Sequence, residues 1–260
     1  MLSHRVRSLI VIVCFIIVVS VNYLANALPI NGVTQKELSA EYNIYLTPAG
    51  YVFAIWGLIY LGLSVYVIVQ ALPKWIGHSG LRRLDLPFVV SCVCNVIWLV
   101  VWHHRLLTVS AVLMLGLLGS LIWAYTRLEN NRTTTESKSI WFVDKTFSVY
   151  LSWVGLATIL NLSIWLESLG WTGTPLTGPV WGVIMLGVAC VLYLYLSFAH
   201  NDVLFLGVLA WAAVGIGIRN QAAEGIWATS LMVCAVSLLG LLWIVFSTYR
   251  AKRSRTKPVV

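Results

Sequence analysis

Residues 47–60 read TPAGYVFAIWGLIY and open a long apolar stretch of the chain. Pro48 and Gly50 mark the turn into this stretch, because a proline suits the first turn of a helix, where its missing N–H would be unpaired anyway. Residues 51–69 contain no charged side chain. About twenty apolar positions in a row are enough for a helix to cross roughly 30 Å of hydrocarbon. The stretch therefore predicts a transmembrane helix.

Four aromatic side chains lie near the start of this helix: Tyr51, Phe53, Trp56 and Tyr60. Trp56 and Tyr60 are four residues apart, so they share a helix face. Gly57 would let a neighbouring helix or a flat ligand come close. The rings are typical either of an aromatic belt at the membrane interface or of one wall of a pocket for a planar apolar ligand. Composition leaves both interpretations open.

The composition of the whole chain excludes a soluble fold. Of its 260 residues, 60% are hydrophobic and 10% are charged, and the mean hydropathy is +0.88. Soluble domains contain about 25% charged residues. Because the apolar segments are long and mostly continuous, we expect an all-α polytopic membrane protein and not a barrel. The formal net charge of +8 fits basic loops that face anionic lipid.

Eight apolar segments predict about eight membrane spans. They cover about residues 8–28, 51–70, 86–102, 106–125, 146–166, 179–198, 203–218 and 226–249. With the N-terminus inside, all of the 17 Lys and Arg residues except Lys36, Arg105 and Arg219 fall on the inner side, which predicts two cytoplasmic termini. Residues 25–27 read ANA and are similar to a signal-peptidase site. We expect an uncleaved first span, because its apolar run is longer than a typical signal sequence, but cleavage stays open.

Two further stretches join residues 47–60 in a resemblance to a known family. Residues 95–98 read NVIW in the third span, and residues 151–165 read LSWVGLATILNLSIW in the fifth. In this order, the three stretches resemble the TspO/MBR family, also called tryptophan-rich sensory proteins or translocator proteins. The resemblance covers residues 8–168. We therefore expect a TspO-like five-helix bundle over residues 1–168, and a three-helix C-terminal extension with a basic tail over residues 169–260.

The resemblance implies a pocket that opens toward the loop between the first two spans. Members of the family bind tetrapyrroles and, in some cases, sterols or drug-like aromatics. They act as sensors or regulators, and both transport and porphyrin degradation have been proposed for them. For this chain, the resemblance implies no obligatory cofactor and a porphyrin or haem as a candidate ligand.

The candidate ligand-binding residues are aromatic or amide side chains in the three family-like stretches. They are Tyr51, Phe53, Trp56, Tyr60, Asn95, Trp98, Trp153 and Asn161. Since π-systems favour offset stacking on a flat macrocycle, we expect Trp56, Trp98 and Trp153 to converge on one cavity. Asn95 and Asn161 need partners, because burying an unpaired amide is costly, and those partners are either another helix or a ligand.

The remaining polar residues favour neither catalysis nor metal binding. His103 and His104 are expected on a solvated turn and not as haem ligands. The sequence shows no nucleophile–base pair at a known catalytic spacing and no phosphate-binding loop. We therefore expect no enzyme, no catalytic residue and no metal site, although a membrane enzyme that modifies lipid or tetrapyrrole is a third hypothesis. Ionisable groups are also missing from the middle of the spans, which disfavours an ion-coupled pump.

These observations favour a membrane receptor or sensor for a planar hydrophobic ligand that is tetrapyrrole-like or sterol-like. The alternative is a small-molecule transporter or permease that uses all eight helices. The expected partners are membrane lipid and a hydrophobic small molecule; a homodimer stays open, and nucleic acid is not expected. We expect a multi-pass protein of the cell membrane.

Overall fold

The computed structural model describes residues 3–28, 30–42, 44–129, 140–171 and 176–255. Throughout these ranges the regular structure is helical, and no strand occurs in them. The α-helices are α1 His4–Ala27, α2 Gln35–Glu41, α3 Ile55–Ala71, α4 Ser79–Arg82, α5 Asp85–His103, α6 Leu107–Glu129, α7 Trp141–Ser168, α8 Gly178–His200, α9 Leu204–Arg219 and α10 Glu224–Arg255. A 3₁₀ turn, Gly50–Ala54, leads into α3.

Seven helical segments within the described ranges are long and apolar enough to cross a membrane. The eighth predicted span is α9, which has only 16 residues and is therefore about 24 Å long. Most of its apolar side chains are buried. The chain is an all-α multi-pass membrane protein, as the sequence predicts. The location of the termini remains a prediction.

Local sequence explains several helix ends. At α2, the Thr34 side chain accepts a hydrogen bond from the Glu37 N–H, and the Glu37 carboxylate accepts one from the Thr34 N–H. This reciprocal capping box satisfies two N–H groups that a short helix would otherwise leave unpaired. At α8, a proline stands in the first turn, and Asn201 ends the helix in the left-handed conformation with φ 49°.

The chain divides into two compact units. The first comprises Met1–Asn43 and Phe53–Trp171, and the second comprises Ile44–Val52 and Thr172–Val260. The sequence places a boundary near residue 168, but it gives no sign that the short segment Ile44–Val52 packs with the C-terminal helices. This segment immediately precedes residues that line the candidate site.

The first unit is a closed ring of five long helices. Around the ring, α1 packs on α5, α5 on α6, α6 on α7, α7 on α3, and α3 on α1. Tyr66, Phe88 and Phe147 form an aromatic core, in which the centroid of the Tyr66 ring lies 5.3 Å from that of Phe88 and 5.7 Å from that of Phe147. Edge-to-face pairs of this kind are favoured over face-to-face contact. These ring contacts join α3, α5 and α7, which are three of the five helices.

The close helix approach expected at Gly57 occurs one and a half turns further along α3. No heavy atom of the described residues lies within 4 Å of a Cβ built on Gly57. A Cβ on Gly62, in contrast, would collide with the Thr146 side chain of α7. The small residue that lets α3 and α7 approach is therefore Gly62, and the expectation for Gly57 as a helix contact is wrong.

A buried polar network joins α1, α3, α4 and α5. Nη2 of Arg82 donates hydrogen bonds to the Ser8 hydroxyl at 2.8 Å and to the Gln70 side-chain oxygen at 2.7 Å. Nη1 of Arg82 lies 3.1 Å from the Asp85 carboxylate, and Nε of Arg7 lies 3.0 Å from the same oxygen. The Arg82 side chain is only 6% exposed. Removing one member of such a network leaves its partners buried without compensation.

We predict that Arg82→Gln destabilises the protein by about 3 kcal/mol, because Asp85 and the Gln70 oxygens lose their main donor. Thermal unfolding in detergent, followed by near-ultraviolet circular dichroism, measures the effect. Arg83→Gln is the matched control, since Arg83 is the adjacent arginine and is exposed. Equal melting temperatures for the two variants would contradict a stabilising role for the buried network.

Candidate functional site

Two cavities in the first unit share Trp56 and Gln35 as walls. The larger has a volume of about 270 Å³ and is lined by Val19, Asn22, Tyr23, Asn26, Gln35, Phe53, Trp56 and Tyr60. The smaller has a volume of about 30 Å³ and is lined by Gln35, Ser39, Trp56, Trp98, Trp102, Met114, Trp153, Ala157, Leu160, Asn161 and Ile164. The smaller space holds little more than one water molecule.

The three predicted indoles converge inside the bundle. Trp56, Trp98 and Trp153 all line the smaller cavity, and they are 9%, 3% and 4% exposed. Rings of an interfacial belt would face lipid, so the belt interpretation does not describe these three residues. Their side chains nearly fill the space between them. The open volume lies instead where Trp56 meets Phe53 and Tyr60.

The rings around Trp56 are fixed by mutual contacts. Trp56 and Tyr60 are stacked, with centroids 5.6 Å apart and an interplanar angle of 19°, which confirms that they share a helix face. Trp153 meets Trp56 edge-on at 6.4 Å and Phe53 edge-on at 6.0 Å. On the far side of the small cavity, Trp98 and Trp102 are stacked at 6.2 Å. The Trp56 ring therefore contributes to the walls of both cavities and is supported by Tyr60 and Trp153.

Several hydrogen-bond donors at these walls are buried without a partner among the described residues. They are the Trp56, Trp98, Trp102 and Trp153 indole N–H groups and the Tyr60 hydroxyl. A buried donor left unpaired costs about 1–3 kcal/mol. Five such donors near two adjoining cavities make the region attractive to a molecule that carries hydrogen-bond acceptors.

The two predicted asparagines bridge helices. Asn22 of α1 donates through Nδ2 to the Asn95 Oδ1 of α5 at 2.8 Å. Asn161 of α7 donates through Nδ2 to the Ser110 hydroxyl of α6 at 2.9 Å. Asn161 also lines the smaller cavity, whereas Asn95 is not among the lining residues of either. Interhelical pairing, one of the two roles that the sequence leaves open, thus describes both amides.

The connection between α1 and α3 supplies a cover for the site. The sequence presents residues 29–45 as a polar loop, but they contain α2, whose Gln35 and Ser39 line the smaller cavity. Arg105 holds the end of α2 through a two-pronged ion pair, with Nη2 2.8 Å from both carboxylate oxygens of Glu41. The Tyr42 ring packs on Trp102 at 5.9 Å.

The comparison with known families adds an independent observation. A family model described as "TSPO-like protein" matches residues 8–246. The chain belongs to this family. The match extends beyond residue 168, where the resemblance read from the motifs ends, and so includes α8, α9 and most of α10. No curated protein and no solved structure matches the chain.

Tyr51 and His103 of this TSPO-like protein have surroundings that the sequence did not predict. Tyr51, a candidate ligand-binding residue, lies in the second unit, where its ring meets Trp211 edge-on at 5.2 Å. It is not among the residues that line the two cavities. His103 is fully buried, with Nδ1 2.7 Å from the Leu99 carbonyl oxygen, so the expectation of a solvated turn is wrong for it. His104 is exposed, as expected.

Sequence reasoning missed several lining residues, although some carried a readable signal. Thr34 and Glu37 have the spacing of a capping box, which predicts the helix that carries Gln35. Trp102 is four residues after Trp98, so the two indoles share a face. Asn22 and Asn26 show the same spacing on α1.

We predict that Arg105→Gln loosens α2 over the site. Because exposed ion pairs contribute about 0.2–1 kcal/mol, backbone amides of residues 35–41 should exchange about two- to fivefold faster. Hydrogen–deuterium exchange with mass spectrometry measures the change. Exchanging the charges, with Glu41→Arg and Arg105→Glu together, should restore slow exchange. If Arg105→Gln and the wild type exchange alike, the ion pair does not hold α2.

Proposed function

We propose that this TSPO-like protein is a non-enzymatic receptor of the cell membrane that binds a planar hydrophobic ligand, of tetrapyrrole-like or sterol-like form, with hydrogen-bond acceptors at its edge. The observation that carries the proposal is the 270 Å³ cavity walled by the stacked Trp56 and Tyr60 rings, each with an unpaired buried donor. The donors are unpaired with respect to the described residues.

The size and the lining of the cavity favour a ring system that inserts only in part. Its volume is close to the lower end of the range for ligand pockets, which is about 300–1,000 Å³. Tyr23, on one wall, is 70% exposed, so the cavity is open on that side. A planar ring system can insert one edge between α1 and α3 and leave the remainder outside. The Trp56 and Phe53 rings offer the apolar and π surfaces that stabilise such a plane.

The polar groups favour acceptors on the inserted edge. Of the two unpaired groups at the cavity, the Trp56 N–H can only donate, and the Tyr60 hydroxyl can donate as well as accept. A carboxylate or carbonyl would pair with them, and hydrogen bonds to a charged group are stronger than those between neutral groups. Protoporphyrin, which combines a flat macrocycle with carboxylates, is therefore a suitable probe.

We predict that the purified protein binds protoporphyrin saturably, and that Trp56→Leu weakens the affinity about tenfold because the stacking wall is lost. Ligand fluorescence, titrated in detergent, measures affinity without depending on the number of tryptophans. Trp141→Leu is the control, since Trp141 is 64% exposed and belongs to the same unit. The ligand should be recovered unchanged after incubation. Non-saturable binding, or equal losses in the two variants, would exclude the proposed site.

The role of the donors has its own test. Tyr60→Phe should weaken the binding of protoporphyrin about tenfold, because the hydroxyl can no longer donate to a carboxylate. The dimethyl ester of protoporphyrin keeps its carbonyl acceptors but lacks the charge, so Tyr60→Phe should weaken the binding of the ester clearly less than that of the acid. An equal loss for acid and ester would show that no charge-assisted hydrogen bond from the Tyr60 hydroxyl was removed.

A further inference from the structure

Three hydrogen bonds fasten the segment Tyr45–Val52 to the C-terminal helices of the second unit. The Ala49 N–H donates to the Gly215 carbonyl oxygen at 2.9 Å. The Trp211 indole N–H donates to the Val52 carbonyl oxygen at 3.1 Å, and Nδ2 of Asn220 donates to the Tyr45 carbonyl oxygen at 3.0 Å. The donors and acceptors lie along the whole segment, so its backbone is held at both ends and in the middle.

Gly182 and Gly215 of the second unit lack a side chain and so leave space for this segment. A Cβ on Gly215 of α9 would overlap the Val52 side chain and lie 3.3 Å from the Pro48 Cβ. A Cβ on Gly182 of α8 would lie 3.0 Å from the Tyr45 Cβ. Elsewhere on α9, a Cβ on Gly207 would meet no heavy atom of the described residues within 4 Å. Gly215, which faces the segment, is therefore packed much more tightly than Gly207 on the same helix.

The fastened segment leads directly into the candidate site. Val52 accepts the Trp211 hydrogen bond, and the next residue, Phe53, lines the larger cavity. Because a peptide bond is planar, the Val52 carbonyl and the Phe53 N–H are oriented together. The same 3₁₀ turn continues to Ala54, immediately before α3 and Trp56. Constraint at Val52 is thus transmitted through the backbone to two lining residues.

The geometry points to a role for the C-terminal helices: Trp211 and Gly215 are positioning residues that set the backbone before Phe53 and Trp56 and thereby tune ligand affinity. This inference rests on the proposed function for its effect on affinity. Its effect on the backbone does not depend on any ligand. The two effects can therefore be measured separately.

The test compares two glycine-to-alanine changes in one helix. Gly215→Ala should speed amide hydrogen exchange over residues 49–58 about fivefold, by displacing Val52 and its hydrogen bond, and should weaken protoporphyrin binding by a similar factor. Gly207→Ala adds the same methyl group to α9 without a steric contact and should change neither quantity. Trp211→Phe keeps an aromatic ring but removes the pyrrole part of the indole with its N–H donor, and it should give a smaller effect in the same direction.

A compensating change separates positioning from general damage. Val52→Ala removes the methyl groups that the new Cβ of Gly215→Ala would meet, so the double variant should recover most of the slow exchange and of the affinity. General unfolding of α9 would not be rescued in this way.

The outcomes distinguish the two proposals. If the wild type does not bind protoporphyrin but Gly215→Ala still speeds exchange beyond Val52, the proposed ligand is wrong and the positioning of the backbone is supported. If the wild type binds, and Gly215→Ala matches Gly207→Ala in both exchange and affinity, the positioning role is overturned.

Discussion

The structure depends on the rule that polar groups inside a membrane protein must find partners within the protein. Arg82 illustrates it, because its guanidinium is shared among Ser8, Gln70 and Asp85 in a buried network. The Asn22–Asn95 bond obeys the same rule between α1 and α5. Because a lost partner leaves a buried polar group unpaired, each bond favours the register of the helices that it joins.

The candidate site is one of the places where the described residues leave buried polar groups without a partner. The Trp56 N–H and the Tyr60 hydroxyl are buried beside a cavity and unpaired, although both rings are held by neighbouring aromatics. Under the proposed function, such a wall would favour binding in two respects: its rings are already held in place, and its polar groups would gain a partner from the ligand.

The sequence predicted the fold well because span length and apolar composition are local properties. The long apolar runs correctly predicted the long helices, and the four-residue spacing of Trp56 and Tyr60 correctly predicted that they share a helix face. The three-motif resemblance led to the family that the model match shows. Such features need no knowledge of which helices are neighbours.

Features that depend on distant residues were not predicted. Tyr51 is a neighbour of Phe53 in sequence, yet it packs on Trp211, which lies 160 residues further along the chain. His103 reads as part of a polar corner, and only the packing around α5 shows that it is buried. For α2, the capping box could be read from the sequence, but the position of the helix beside the indoles could not.

The packing around Trp56 has a consequence for the two cavities together. Its indole lines both a space of about 270 Å³ and one of about 30 Å³, and it touches the rings of Tyr60, Tyr150 and Trp153. Because a close-packed interior transmits strain, a new rotamer of this indole would have to displace those rings as well. A substitution at any of the four rings would therefore alter the dimensions of both spaces at once.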